Sequence, residues 1–316
     1  MRSVLVAVLV LLALPAYAAD TVETGAIGSP SGSLWPIYIG ESKGFFAKAG
    51  VDIDLIFAPS TSGVIQQLTA GSLDAVASTG LPEPISAIDK GAAIAIVRIV
   101  SQANPYALVA RPGISNIRDL KGKTISLGGT TDITAIYFAQ LAKAEGLAKT
   151  DYDVVVVGAT AARLAGLRSG AVAATLLLPP VLFEAEDAGF VNLGLVYPYT
   201  KDLPFAGFEV NRAWAMAHLE PAKRMLAVFD ESVAWFYDDK NRDEAISILA
   251  SAAKMKPEDV AKTYDLFRKI NFFAPSPTIS RALLDNLMKA EMAIGDRDHI
   301  VPADRLVMPE LAKLAD

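Results

Sequence analysis

The 316-residue chain contains no cysteine and only two histidines, His218 and His299. The missing thiols exclude disulfides, thiolate zinc sites, iron–sulfur clusters and cysteine nucleophiles. Two histidines are too few for a multi-histidine metal site, so neither a metal nor a cofactor is expected. An excess of basic charge is also missing: 29 Lys and Arg stand against 35 Asp and Glu, for a net charge of −6. That balance leaves no electrostatic footprint for nucleic acid. With 52% hydrophobic and 20% charged residues, the chain has the composition of a folded protein with a large core.

Only one stretch reads as a long apolar run. Arg2 precedes Val4–Leu14, and Ala16-Tyr17-Ala18 follows as an A-x-A site. Eleven apolar residues are too few to span a bilayer, which takes about 20. Together the three features predict a secretory signal peptide over 1–18, cleaved before Ala19, and export of the remainder.

Beyond it, strand and helix patterns alternate twice. Val22–Ile27, Asp52–Phe57, Asp74–Ser78 and Ala95–Val100 read as strands of a first run. Thr124–Leu127, Tyr152–Val157 and Ala173–Leu178 read as strands of a second, the middle one of fully buried type. Helices over Pro36–Ala49, from Ser62 or Gly63 through Leu68, and over Glu83–Lys90 separate the first set. Ile133–Glu145, Ala161–Arg168 and Val181–Ala188 accompany the second. Gly28 overlays Gly128, Leu68-x-x-Gly71 overlays Leu167-x-x-Gly170, and Pro82 overlays Pro180, at offsets of 98 to 100 residues. The pattern predicts two similar β/α lobes with parallel sheets. After Asn211 only helical patterns remain (221–237, 243–253, 257–269 and 280–294), which predicts a strand-free helical layer.

In such sheets ligands bind beyond the carboxyl ends of the strands. Those loops are rich in hydroxyls and run into helix N-termini, whose free N–H groups favour polar or anionic groups. Trp35 and Tyr38 are candidates for an apolar wall. Each single hydroxyl is also an ordinary helix cap, and Asp132 reads first as a cap. Glu83 shares that ambiguity. The six loops (Gly28–Trp35, Pro59–Gly63, Thr79–Pro84, Gly128–Thr134, Gly158–Ala161 and Leu178–Pro180) hold no Lys or Arg, and the nearest cations, Arg111 and Arg163, are expected at the surface. Enzyme motifs fail on inspection. Gly28-Ser29-Pro30-Ser31-Gly32 has Pro where a nucleophile elbow needs Ser. Ser251-Ala252-Ala253-Lys254 has no partner motif, and Glu184 and Glu186 do not share a helix face.

Three segments resemble a known family. Lys43-Gly44-Phe45-Phe46-Ala47-Lys48-Ala49-Gly50-Val51-Asp52-Ile53, Leu68-Thr69-Ala70-Gly71-Ser72-Leu73-Asp74-Ala75 and Asp119-Leu120-Lys121-Gly122-Lys123-Thr124-Ile125 look like segments of periplasmic solute-binding proteins. The nearest branch is the NMT1/THI5-like group that binds nitrate, sulfonates and taurine (SsuA-like), over roughly 22–300. The resemblance implies an α/β, type II periplasmic-binding-protein fold. One lobe would comprise 20–105 plus 207–316 and the other 106–206. It implies a periplasmic, monomeric subunit that captures a small organic solute by hinge closure and delivers it to an ABC permease. Its contact positions fall on Ser31, Ser33, Trp35, Thr61, Ser62, Thr79, Asn104, Thr130, Thr131, Asp132 and Pro179, to which the wall reading adds Tyr38 as a site candidate. Two other readings are a THI5-like pyrimidine-precursor synthase and an exported sensor for a membrane receptor.

Overall fold

The computed structural model describes residues 19–274 and 277–316. The expected leader, 1–18, lies outside the described residues. Ten strands in chain order build two five-stranded sheets. They are β1 (Asp20–Ile27), β2 (Val51–Ala58), β3 (Ala75–Gly80), β4 (Ile94–Ser101), β5 (Ala107–Ala110), β6 (Thr124–Leu127), β7 (Asp153–Val156), β8 (Ala174–Leu177), β9 (Val191–Leu195) and β10 (Ala206–Asn211). The first sheet has the order β2-β1-β3-β10-β4 and the second β7-β6-β8-β5-β9.

The parallel trios β2-β1-β3 and β7-β6-β8 are the duplicated units. The remainder of each sheet departs from the expectation of wholly parallel strands. β10 runs antiparallel to β3 and β4, and β5 antiparallel to β8 and β9. The reason is topological: β5 and β10 are the first strands laid down after the chain changes sheet, and each enters from the opposite direction. The chain changes sheet between Ser101 and Ala107 and again between Leu195 and Ala206.

Strands hidden on both faces carry continuous apolar runs. β4 (IAIVRIVS) and β5 are buried throughout. β7 departs from the buried type expected for Tyr152–Val157. It is the outer strand of its sheet, and Val154, Val155 and Val156 are 41, 40 and 55% exposed. β-branched residues suit any pleated surface, so composition alone does not separate an edge from a centre.

The helix expected over Pro36–Ala49 is two helices, Trp35–Ser42 and Phe45–Lys48. Gly44 between them takes φ 67°, a left-handed turn that breaks the hydrogen-bond ladder. The tail forms the expected helices Leu219–Tyr237, Arg242–Ala253, Pro257–Lys269 and Arg281–Ala293. Pro257–Lys269 shows why it forms there: Pro257 opens it, Glu258 and Asp259 lie in its first turn, and Arg268 and Lys269 in its last. The tail is not strand-free. Thr278–Ser280 and Lys313–Ala315 pair in parallel as a small third sheet.

The tail is anchored to the first sheet by two arginines, the buried Arg98 and the half-buried Arg212. Arg98 Nη1 donates to the carbonyls of Val97 and Leu311, and its far edge pairs with Asp230. Arg212 donates to the carbonyls of Ile94, Arg305 and Val307. None of the described helices is long and apolar enough to cross a membrane.

Candidate functional site

The carboxyl ends of the two parallel trios face each other across a cavity of about 120 Å³. The first lobe contributes the loop after β1 (Gly28, Ser29, Ser31, Ser33), Ser60 and Thr61 after β2, and Ser78 in β3. The second contributes Gly128 and Asp132 after β6, Gly158 to Thr160 after β7, and Pro179 and Pro180 after β8. Tyr106 and Phe205, from the two crossings, complete the wall.

Glycines let the lobes meet around this cavity. A Cβ on Gly28 would lie 2.8 Å from the Cβ of Ala159, and one on Gly80 2.9 Å from Ile133 Cγ2. One on Gly158 would lie 3.0 Å from the carbonyl oxygen of Pro59. In each pair the partners belong to opposite lobes, and Gly28 and Gly158 also take positive φ, at 71° and 80°. The lobes are therefore in contact across the cleft in this conformation.

Of the positions singled out in the sequence, the cavity gathers Ser31, Ser33, Thr61, Asp132 and Pro179. The others lie elsewhere. Trp35 is fully buried in the first lobe, not on the cleft wall. Its Nε1 donates to the carbonyl of Ala245 at 2.8 Å, and its ring meets Phe236, Tyr264 and Phe267 edge-on at 5.1 to 6.1 Å. An indole at the first position of a helix is drawn into this layer because the tail helices offer both aromatic surface and a carbonyl. Tyr38 is buried in the same helix, with no partner for its hydroxyl among the described residues, and burial pushes that phenol above its usual range. Thr79 lies behind the cleft, donating to Glu209 Oε2 at 2.7 Å. Asn104 braces the first crossing, donating to Thr200 and accepting from the Tyr106 backbone. Ser62 is exposed and bonds Ser60. Thr130 and Thr131 line a second cavity, of about 570 Å³, beside Phe138 and Tyr152.

Asp132 does cap a helix, as its place before Ile133–Ala144 suggested. Its Oδ1 accepts from the N–H groups of Thr134 and Ala135 and from the Thr134 hydroxyl. Burial raises its pKa, opposed by the Thr134 hydrogen bond and by the Arg163 charge. Glu83 is raised well above its usual range, first by burial and next by Asp132.

Arg163 corrects the surface role expected for it: it is 2% exposed and lines the cavity. Nε donates to the Leu176 carbonyl at 3.0 Å, Nη1 to the Gly158 carbonyl, and Nη2 to Tyr106 Oη and Thr160 Oγ1. Its guanidinium also lies 5.6 Å from the Tyr106 ring centre. Arg111 is on the surface, as expected. The signal for Arg163 was present in the sequence. Helical side chains point back toward the N-terminus, so an arginine three residues after Thr160 reaches the loop before it.

Ser78 is the other cleft residue that the strand pattern concealed. It adopts φ 58°, uncommon for a residue with a side chain, and its buried Oγ has no hydrogen-bond partner among the described residues. Neither histidine lies at the cleft: His218 stacks on Trp214, and His299 sits between Asp298 and Asp89. No cluster of three or more His, Asp or Glu able to hold a metal ion occurs among the described residues.

Two α/β lobes joined by two crossings, with a shared cleft at the strand ends, define the periplasmic-binding-protein class of fold. The NMT1/THI5-like family model matches residues 32–204, more than half of the chain, and the protein belongs to that family. A formylaminopyrimidine-binding protein of Halalkalibacterium halodurans is 26% identical over 244 residues, covering 73% of this chain and 70% of that one. The alkanesulfonate-binding protein SsuA from Xanthomonas axonopodis pv. citri, solved with MOPS bound, superposes with a TM-score of 0.75 at 16% identity, covering 94% of this chain and 100% of that one. The nitrate-binding protein NrtA of Synechocystis superposes with a TM-score of 0.68 at 18% identity, covering 78% and 70%.

Proposed function

We propose that the protein is the solute-capturing subunit of an ABC importer. In this reading it is exported to the periplasm after removal of 1–18 and works as a monomer. The lobes 20–105 plus 207–316 and 106–206 close on one small organic solute, of sulfonate, carboxylate or pyrimidine-like type, and present it to the permease. The observation that carries the reading is a cavity walled by both lobes at their strand ends, with glycines where the lobes touch. A cavity of about 150 Å³ admits benzene, so a space of about 120 Å³ suits the head of a small solute. Binding rather than catalysis is favoured because no histidine or cysteine among the described residues lines the cleft, and its carboxylate, Asp132, is engaged as a helix cap rather than paired with a serine as base and nucleophile.

A screen of small solutes tests this. A ligand present at about 100 times its Kd stabilises the folded state by about 2.7 kcal/mol, seen as a raised melting temperature. X-ray scattering of the same sample should show a smaller radius of gyration than the ligand-free protein. Absence of any response across sulfonates, carboxylates and pyrimidines would count against solute capture. Mass spectrometry of exported protein is expected to find Ala19 first.

A further inference from the structure

Asp132 and Arg163 meet over Gly128 inside the cleft. A Cβ placed on Gly128 would lie 2.1 Å from Asp132 Oδ2 and 3.2 Å from Arg163 Nη1. Both groups thus lie close over Gly128, where a side chain would not fit, and both line the cavity beside it. Each has spare hydrogen-bonding capacity there. Asp132 spends its cap on Oδ1, and Oδ2 accepts no hydrogen bond from the described residues. Arg163 has five N–H groups, of which four are committed, leaving one on Nη1. The two side chains are not paired with each other as a salt bridge among the described residues.

We propose that Asp132 Oδ2 and Arg163 Nη1 together read a neutral ligand edge bearing one hydrogen-bond donor beside one acceptor, as in a carboxamide, a urea or an aminopyrimidine. The ligand N–H donates to Asp132 and its acceptor receives from Arg163. The inference rests on the cleft being the solute site and narrows the solute class. A bare anion such as a sulfonate satisfies Arg163 but faces the Asp132 carboxylate. An ammonium satisfies Asp132 but faces the guanidinium. Only the mixed edge leaves neither buried group unpaired, and unpaired buried polar groups are the strong source of discrimination. Ser78 Oγ on the opposite lobe, buried and without a partner among the described residues, supplies a hydroxyl for a further polar atom of the same ligand.

The test is calorimetric titration of ligand-stripped protein with 4-aminopyrimidine, a small carboxamide and methanesulfonate. The expected result is at least tenfold tighter binding of the aminopyrimidine or the carboxamide than of methanesulfonate. Asp132→Asn keeps a capping oxygen, since Asn caps helices as well as Asp. It should weaken the mixed-edge ligand at least tenfold while leaving methanesulfonate unchanged or tighter. Should that variant fail to fold, Gly128→Ala, whose methyl displaces Oδ2, is expected to give the same loss. Tighter binding of methanesulfonate by the wild type, or a folded Asp132→Asn with undiminished aminopyrimidine affinity, overturns the inference while leaving solute capture intact. Failure of every probe, in the wild type and in the broader screen alike, overturns both.

Discussion

At the scale of single residues, burial decides what each side chain does. Trp35 looks in the sequence like a cleft aromatic, yet its ring fills the layer between the first sheet and the tail helices. Trp35→Ala is therefore expected to cost about 3–5 kcal/mol in urea denaturation, with ligand affinity of the folded fraction unchanged. Glu209 is fully buried in β10 and accepts from Thr79, while its Oε1 has no partner among the described residues. Burial raises its pKa from 4.5 to about 8. The unfolded chain ionises first as pH rises, so the stability owed to the neutral folded form is complete below pH 4.5 and is lost toward pH 8. Glu41 adds the same sign of dependence, its pKa being lifted to about 7 by burial and by Asp52. Glu209→Gln should flatten the fall in melting temperature between pH 5 and 8. An unchanged slope would show that Glu209 does not titrate in that range.

At the scale of elements, the two parallel trios and their helices follow from local pattern, and the loops between them carry the specialised geometry. Gly28 illustrates the double demand on such a loop. Its φ of 71° is left-handed, and Ala159 of the other lobe leaves no room for a Cβ. Gly28→Ala is expected to lose about 1–2 kcal/mol of stability from backbone strain alone. It should weaken ligand binding by roughly tenfold or more, because a methyl holds the lobes apart where they now touch. Calorimetry read beside urea denaturation separates the two effects. A variant with normal affinity would show that contact between Gly28 and Ala159 is not needed for closure.

At the scale of the whole molecule, Arg98 and Arg212 tie the C-terminal segment to the first sheet. Through these bonds the C-terminal segment is held against β4 and its neighbours in the first sheet. Arg212→Ala removes donors from three carbonyls, those of Ile94, Arg305 and Val307. It is expected to destabilise that lobe by about 1–3 kcal/mol, seen as faster hydrogen exchange along β4 and over 300–316.

The alternating periodicity, the glycine stops and the hydroxyl-rich loops lie within ten or so residues of one another. They were legible in the chain as written, and so were the two lobes, the duplicated trios and the place of the cleft. Asp132 as a cap was legible for the same reason: its partners are Thr134 and Ala135. Other features depend on residues far apart in the chain. Trp35 is claimed by Ala245, and β5 and β10 turn antiparallel because of how the chain crosses between sheets. β7 becomes an exposed edge because, among the described residues, no strand pairs with its outer side. Arg163 and Asp132 converge over Gly128 only when the second lobe has folded. Local backbone preference sets periods and stops; which buried group meets which is set by packing, and only the assembled fold resolves it.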